Sequence, residues 1–380
     1  MTNNLLKKGL EFELYAGTES GKVLPLSTKL KEKFTDFSQE PDERNFEYIT
    51  QPLSSYKEVF KEITQTKYKI RNFLKELGNN LTLIPGSTIA LPFDKTFCRT
   101  KLQDPYHEYI ANNYKTNVIT TSLHINIGID NYEKLFKLLC ALRLDTALFL
   151  ALSASSCFYD GKVTGFHSYR WHTFPKTPSF IQFFTNHDEY VKWMNLQLST
   201  KSMLNVRHLW TSIRPNGPNR PNDLNRLEIR ICDLVSDTTK SLAIVSFIET
   251  IIQKYLMEDN WPKILNQKQS DLNNLVKIIE EQEELVAKDS LQAKIWDWRN
   301  DTTNEASVII ESLYKDLKLV ANKLDILKYL NPIVNILEDG NEAMQYLKIY
   351  KDTNSIQKTM QHFINQFTNT DLHSYETVNN

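Results

Sequence analysis

The stretch LLKKGLEFELYAG near the start of the chain constrains the fold more than any other. Read as a strand, its side chains alternate between two faces. Leu10, Phe12 and Leu14 point one way, and Glu11, Glu13 and Tyr15 the other. The apolar set can bury against a core, which leaves two carboxylates side by side on the open face. Adjacent same-face negative charges repel unless something positive lies between or above them. A hard divalent cation such as Mg²⁺, which prefers carboxylate oxygens, relieves that repulsion. The plain alternative is a solvated strand face that happens to be acidic. Which holds depends on whether other strands supply matching groups.

Several do. VITTSLHINIGI is the cleanest strand, with Ile119, Thr121, Leu123, Ile125, Ile127 and Ile129 on one face. Thr120, Ser122, His124, Asn126 and Gly128 form the other, and such a set suits the floor of a wet pocket better than a merely solvated face. ERNFEYIT reads as a further strand in a region made acidic by Glu40, Asp42, Glu43 and Glu47. LTLIPGSTIALP gives a short strand and a Pro-Gly turn. NVRHLWTSIRPNG reads as a strand ending in a turn, and RPNDLNRLEIRICDLV as its hairpin partner. On that partner Leu227, Ile229 and Ile231 face one way, and Arg226, Glu228, Arg230 and Cys232 the other. The segment DGKVTGFHSYRWHTFPKTP concentrates Lys162, His167, Arg170, Trp171, His172 and Lys176, which suits either a binding loop or a surface loop with scattered cations.

Helical patterns fill the rest. One runs from about Ser54 to Leu77 with Gly78 at its C-terminal cap, one from Asn131 to about Ser153 is apolar on nearly all sides, and one covers HDEYVKWMNLQL. From Ser236 onward the texture becomes helical throughout. An apolar helix there is followed by long patterns at about 271–298, 304–338 and 341–368, then a loose tail, TNTDLHSYETVNN. The expectation is an α+β catalytic part over 1–258 and a helical C-terminal region over 259–380, within ordinary domain sizes.

Composition excludes more than it selects. A net charge of −1 creates no field favouring nucleic acid or an anionic membrane. The N-terminus lacks a signal-like apolar run, and the most apolar segment is interrupted by Arg143 and Asp145. Cys98, Cys140, Cys157 and Cys232 show no CxxC spacing, which fits reduced thiols in a cytoplasm. There is no GxxxxGK[ST] loop, no GxGxxG after a strand and no kinase catalytic-loop motif. Carboxylates with one imidazole suit Mg²⁺, or Mn²⁺, rather than structural zinc. Divalent ions among arginines are the working parts of phosphoryl transfer.

Seven motifs in order carry a resemblance: GLEFELY (9–15), ERNFEYITQP (43–52), IPGST (84–88), SLHINIG (122–128), SASSCFYDGKVTGFHSYRW (153–171), NVRHLWTSIRPNG (205–217) and LNRLEIRICDLV (224–235). Together they resemble the glutamate–cysteine ligases, more narrowly their cyanobacterial branch. The resemblance implies a glutamine-synthetase-like core: a curved antiparallel sheet of about six strands with helices on its outer face. It implies ATP-dependent joining of the γ-carboxylate of L-glutamate to the amine of L-cysteine through γ-glutamyl phosphate, the first step of glutathione synthesis, with Mg²⁺. Carried onto this chain, Glu11, His124 and Glu228 share one metal, Glu13 and Glu47 match a second, and Glu40 falls where an acid for a third would lie. Arg230 and Arg214 then serve ATP, with Glu228 and Glu47 beside Arg230 in catalysis. Arg170, Arg207, Asn126, Trp171 and His172 are substrate-binding candidates. A ligase with another acceptor amine, or an inactive binding homologue, are the alternatives. The reading needs no nucleic-acid or membrane partner and expects a cytoplasmic monomer or homodimer.

Overall fold

The computed structural model describes residues 5–100, 105–114 and 119–379. Its centre is a seven-stranded antiparallel sheet of β1 (Lys8–Thr18), β2 (Ser38–Gln39), β3 (Asn45–Ile49), β4 (Leu81–Ile84), β5 (Leu123–Gly128), β6 (Ile213–Asn216) and β7 (Arg226–Ile229). Six of them run in the order β2-β3-β1-β5-β7-β6, and β4 pairs with the far end of β1. The sheet curls into a half-barrel, as the resemblance implies. The hairpin of β6 and β7 also forms, with Arg214 opposite Glu228. Its connection admits no side chain at Gly217, where a Cβ would lie 2.1 Å from the carbonyl oxygen of Asp223.

The alternation in β1 holds: Leu10, Phe12 and Leu14 are buried, and Glu11 and Glu13 half-buried. Tyr15 departs from it, because its ring is buried in a second apolar cluster and its hydroxyl donates to the Ile119 carbonyl. The buried faces of β1, β5 and β7 join one apolar cluster with the helices α1 (Tyr56–Leu77), α2 (Tyr132–Arg143), α3 (Thr146–Ser153), α4 (Thr238–Glu258), α5 (Gln269–Asp289) and α6 (Ala306–Lys323). That cluster runs from Leu10 to Ile336, so helices on both sides of position 258 share it. Among the described residues no helix is long and apolar enough to cross a membrane.

Five sequence expectations change. The single helix over 131–153 is two, broken around Asp145, a buried carboxylate that accepts from Arg299 and Trp298. The pattern at 271–298 stops at Asp289, because Ser290 enters the left-handed region (φ 44°). A hairpin follows, Lys294–Asp297 against Thr302–Glu305, since a short apolar run cannot by periodicity alone be told from a helix. Asp325, with φ 57°, divides the pattern at 304–338, and Pro332, a helix breaker by its sequence, opens a new helix after it. Asn354, with φ 46°, divides the one at 341–368. The tail expected to be loose is the end of α7 (Ile356–Asn379). It docks because Asp371 receives Arg71 at 2.6 Å and Lys67 at 3.4 Å, two cations on the buried face of α1.

Candidate active site

Antiparallel register brings the separated acids together. Glu13 lies opposite Glu47, Glu11 opposite His124, and Asn126 opposite Glu228. Glu40 follows β2, whose Ser38 faces Glu47. Glu11, Glu13, Glu40 and Glu47 line a cavity of about 300 Å³ together with His124, Arg99, Arg170, Arg207, Arg214 and Arg230, and Glu228 lies behind Arg214 and Arg230. Phe97, Ile110, Phe174 and Trp210 give it an apolar wall.

Two groups have the reach of metal ligands. Glu11, Glu47 and His124 each offer an atom within 4.8 Å of the others, and so do Glu13, Glu40 and Glu47. Glu47 belongs to both. Their protonation shows how unfavourable bare proximity is. Burial and the neighbouring Glu13 push Glu40 up to about 8. Burial and Glu40 hold Glu47 well above the ordinary carboxylate range. For Glu11 burial is again the largest influence and acts upward, but the hydrogen bond with His124 and the charges of His124 and Arg230 together turn the net shift downward. Oxygen-rich groups with this much unrelieved repulsion fit hard divalent cations.

A hydrogen-bond chain fixes the floor. His124 Nδ1 lies 3.0 Å from Glu11 Oε2, and the amide of Asn126 donates to Glu11 Oε1 at 2.8 Å. Ser122 Oγ donates to Glu13 at 2.6 Å and lies 2.9 Å from His124 Nε2. Arg226 Nε in turn donates to the side-chain Oδ1 of Asn126.

Glu228 is held otherwise. Arg214 grips both its oxygens, at 2.7 and 3.0 Å, Arg230 adds a third donor, and the amide of Asn216 a fourth at 2.7 Å. Burial would raise its pKa, but the two guanidiniums hold it well below the usual range. Glu228 therefore lies in an arginine fork, outside both carboxylate groups. Arg214 is lowered by burial and by Arg230, whereas Glu228 raises Arg230 despite burial.

The other candidates separate. Arg207 is at the exposed rim of the cavity. Arg170 lines it but is 2% exposed, and its terminal nitrogens donate to the carbonyls of Ile231 and Arg230. Trp171 does not line it: the ring is buried and stacked on Phe174. His172 does not either, being stacked on Phe166 and paired with Glu284 on the outside. Asn126 does not line it either: its amide donates to Glu11. Sequence reasoning assigned no site role to Ser122, Arg99, Asn45, Phe174 or Trp210. Ser122 stands on the polar face of the cleanest strand and Trp210 inside a recognised motif, so signals existed for both. Arg99 lies in a stretch without periodicity or motif.

Three comparisons bear on this geometry. The family model of glutamate-cysteine ligase family 2 matches residues 7–362. A protein of Solibacter usitatus, provisionally named glutamate–cysteine ligase 2, is 27% identical over 319 residues, covering 81% of this chain and 79% of its own. A likewise provisionally named protein of Chloroflexus aggregans is 22% identical over 83% of this chain and 79% of its own. Among solved structures, a glutamate–cysteine ligase from Francisella tularensis in complex with AMP superposes with a TM-score of 0.74 at 12% identity, over 98% of this chain and 94% of that one. A bifunctional glutathione synthetase from Pasteurella multocida gives the same TM-score at 16% identity, over 98% of this chain and 53% of that one.

Proposed function

Since the chain belongs to glutamate-cysteine ligase family 2, we propose that it joins the γ-carboxylate of L-glutamate to the amine of L-cysteine with ATP as co-substrate. The observation carrying this reading is the register that sets Glu11, Glu13, Glu47 and His124 in two ligand groups within one arginine-lined cavity. Mg²⁺ would be held by Glu11, His124 and Glu47, and by Glu13, Glu40 and Glu47. The chemistry it supplies is screening of the repulsion between a carboxylate and the polyphosphate it must approach.

The chain's own residues do the rest. Arg230, fixed on Glu228, offers its remaining donors to the phosphoryl group as it passes to the γ-carboxylate. Glu228 keeps Arg230 and Arg214 aimed, and Asn126 with His124 keeps Glu11 aimed. Arg207, at the rim, suits a substrate carboxylate or phosphate. The resulting γ-glutamyl phosphate is attacked by the cysteine amine, which forms the amide as phosphate leaves. Phe97, Phe174 and Trp210 keep water from competing for that acyl phosphate. Four free cysteines accord with a reducing cytoplasm.

The test is ADP and product formation by the purified protein with ATP, Mg²⁺, glutamate and a panel of amines: cysteine, 2-aminobutyrate and ammonia. ADP and γ-glutamyl product are expected with cysteine or its thiol-free isostere and not with ammonia. Glu11→Gln should lower turnover about 10²–10³-fold while the melting temperature holds. No ATP consumption with both amino acids would end the proposal, and a preference for another amine would replace the acceptor.

A further inference from the structure

Strand β7 stops being regular after Ile229. Ile125 of β5 faces Ile229, yet Ser122, three residues back along β5, is bridged to Asp233, four residues on. On the opposite side the N–H groups of Arg230 and Ile231 both donate to the single carbonyl of Ser212, at 2.8 and 3.2 Å. Two residues facing one is a β-bulge, a device that bends a strand and re-aims a side chain. It also inverts the faces of everything after it. Cys232, expected on the polar face, falls into the apolar core, and Asp233 comes to the side that carries Ser122.

Something must hold the bulge, because the ladder there is interrupted and buried carbonyls need partners. Arg170 supplies them: NH1 donates to the Ile231 carbonyl at 3.1 Å and NH2 to that of Arg230 at 3.0 Å. A guanidinium this deeply buried needs a countercharge. Asp233, wholly buried, lies 3.6 Å from NH1. The carboxylate is itself pinned by the Ser155 N–H at 2.9 Å, Ser156 Oγ at 2.7 Å and Ser168 Oγ at 2.9 Å. Ser156 Oγ also accepts from the backbone of Arg170.

We propose that Asp233 and Arg170 are positioning residues: together they hold the bulge that aims Arg230 at Glu228 and the cavity. Arg170 thereby has its terminal nitrogens committed to the protein and is not the substrate-carboxylate ligand that the sequence suggests. The catalytic half of this inference rests on the reading that Arg230 holds the transferred phosphoryl group; the structural half does not.

The test is Asp233→Asn in the full chain, read by crystallography and by a double-mutant cycle with Arg230→Lys. In the crystal, Arg230 should leave hydrogen-bonding distance of Glu228 while β1, β5 and β7 keep their register. Turnover should fall about 10–100-fold, the size of supporting-residue effects at other sites, in kcat rather than in the KM for cysteine. In the double variant Asp233→Asn should add no more than about 2-fold to the loss from Arg230→Lys, because both act through one group. Factors that multiply, or an Arg230 still seated on Glu228, would overturn the proposal. If Asp233→Asn does not fold, Ser156→Ala, which loosens both partners, is read by the same criteria. If the wild-type protein turns over no ATP, the proposed function falls and the crystallographic result alone decides this inference.

Discussion

On one side of the His124 imidazole, carboxylates face carboxylates; on the other, a single carboxylate faces two arginines. Glu11, Glu13, Glu40 and Glu47 meet across β1, β3 and the end of β2. Glu228 meets Arg214 and Arg230. Both halves come from the same sheet and the same kind of strand pairing, so topology does not make the difference. The difference lies in which residues stand opposite: Glu47 across from Glu13, but Arg214 across from Glu228. One half carries its countercharge in the sequence and is complete in the folded chain. The other, on the proposed function, is completed by the cation that binds there.

The comparison can be broken most directly at Glu228. Glu228→Gln leaves two buried guanidiniums without their carboxylate, and breaking such a pair costs about 3–5 kcal/mol. Urea unfolding measures it; a loss under about 1 kcal/mol would mean that the fork is not what holds those arginines.

A smaller effect, of opposite sign, belongs to the acidic half. Glu40 keeps its proton in the folded chain up to about pH 8, whereas the ordinary carboxyl value is 4.5. The folded state therefore binds that proton more tightly than the unfolded state does. Its contribution to stability is fully present below pH 4.5 and is lost as pH rises toward 8. In chelator, the melting temperature of Glu40→Gln should fall less across that window than that of the wild type, and Mg²⁺ should shrink the gap. Parallel pH profiles for the two proteins would show that the acids do not repel.

The smallest effect is expected outside both halves. His172 forms an exposed pair with Glu284, of a kind worth at most about 1 kcal/mol. His172→Ala should leave turnover within about 2-fold of the wild type, measured in the same ADP assay, although its motif suggested a substrate contact.

These contrasts also mark what could be read from the sequence. Period-two alternation places Glu11, Glu13, His124 and Glu228 on strand faces, because each face of a strand is a local property. Their convergence needs register, which local pattern leaves open; the match of seven ordered motifs to a family supplied it. The bulge at Arg230 and Ile231 escapes both sources. An extra residue in a strand is visible only against its neighbours, and so alternation places Cys232 on the wrong face. The tail was misjudged for a related reason, since TNTDLHSYETVNN looks polar and loose until Lys67 and Arg71 are seen to need the Asp371 carboxylate.

That last pairing has a consequence for how the molecule is made. Arg71 waits 300 positions for Asp371, and the backbone of Leu6 waits 243 for Glu249, the acid that also neutralises Lys8. The strand at the middle of the sheet thus pairs with near neighbours, β3, β4 and β5, while its first residues are anchored only by the distant Glu249. Such long separations slow assembly and lengthen exposure of unpaired edges. During synthesis LEFELY can pair with β3 as soon as residues 45–49 follow it, whereas the anchors of Leu6, Lys8 and Arg71 wait for Glu249 and Asp371.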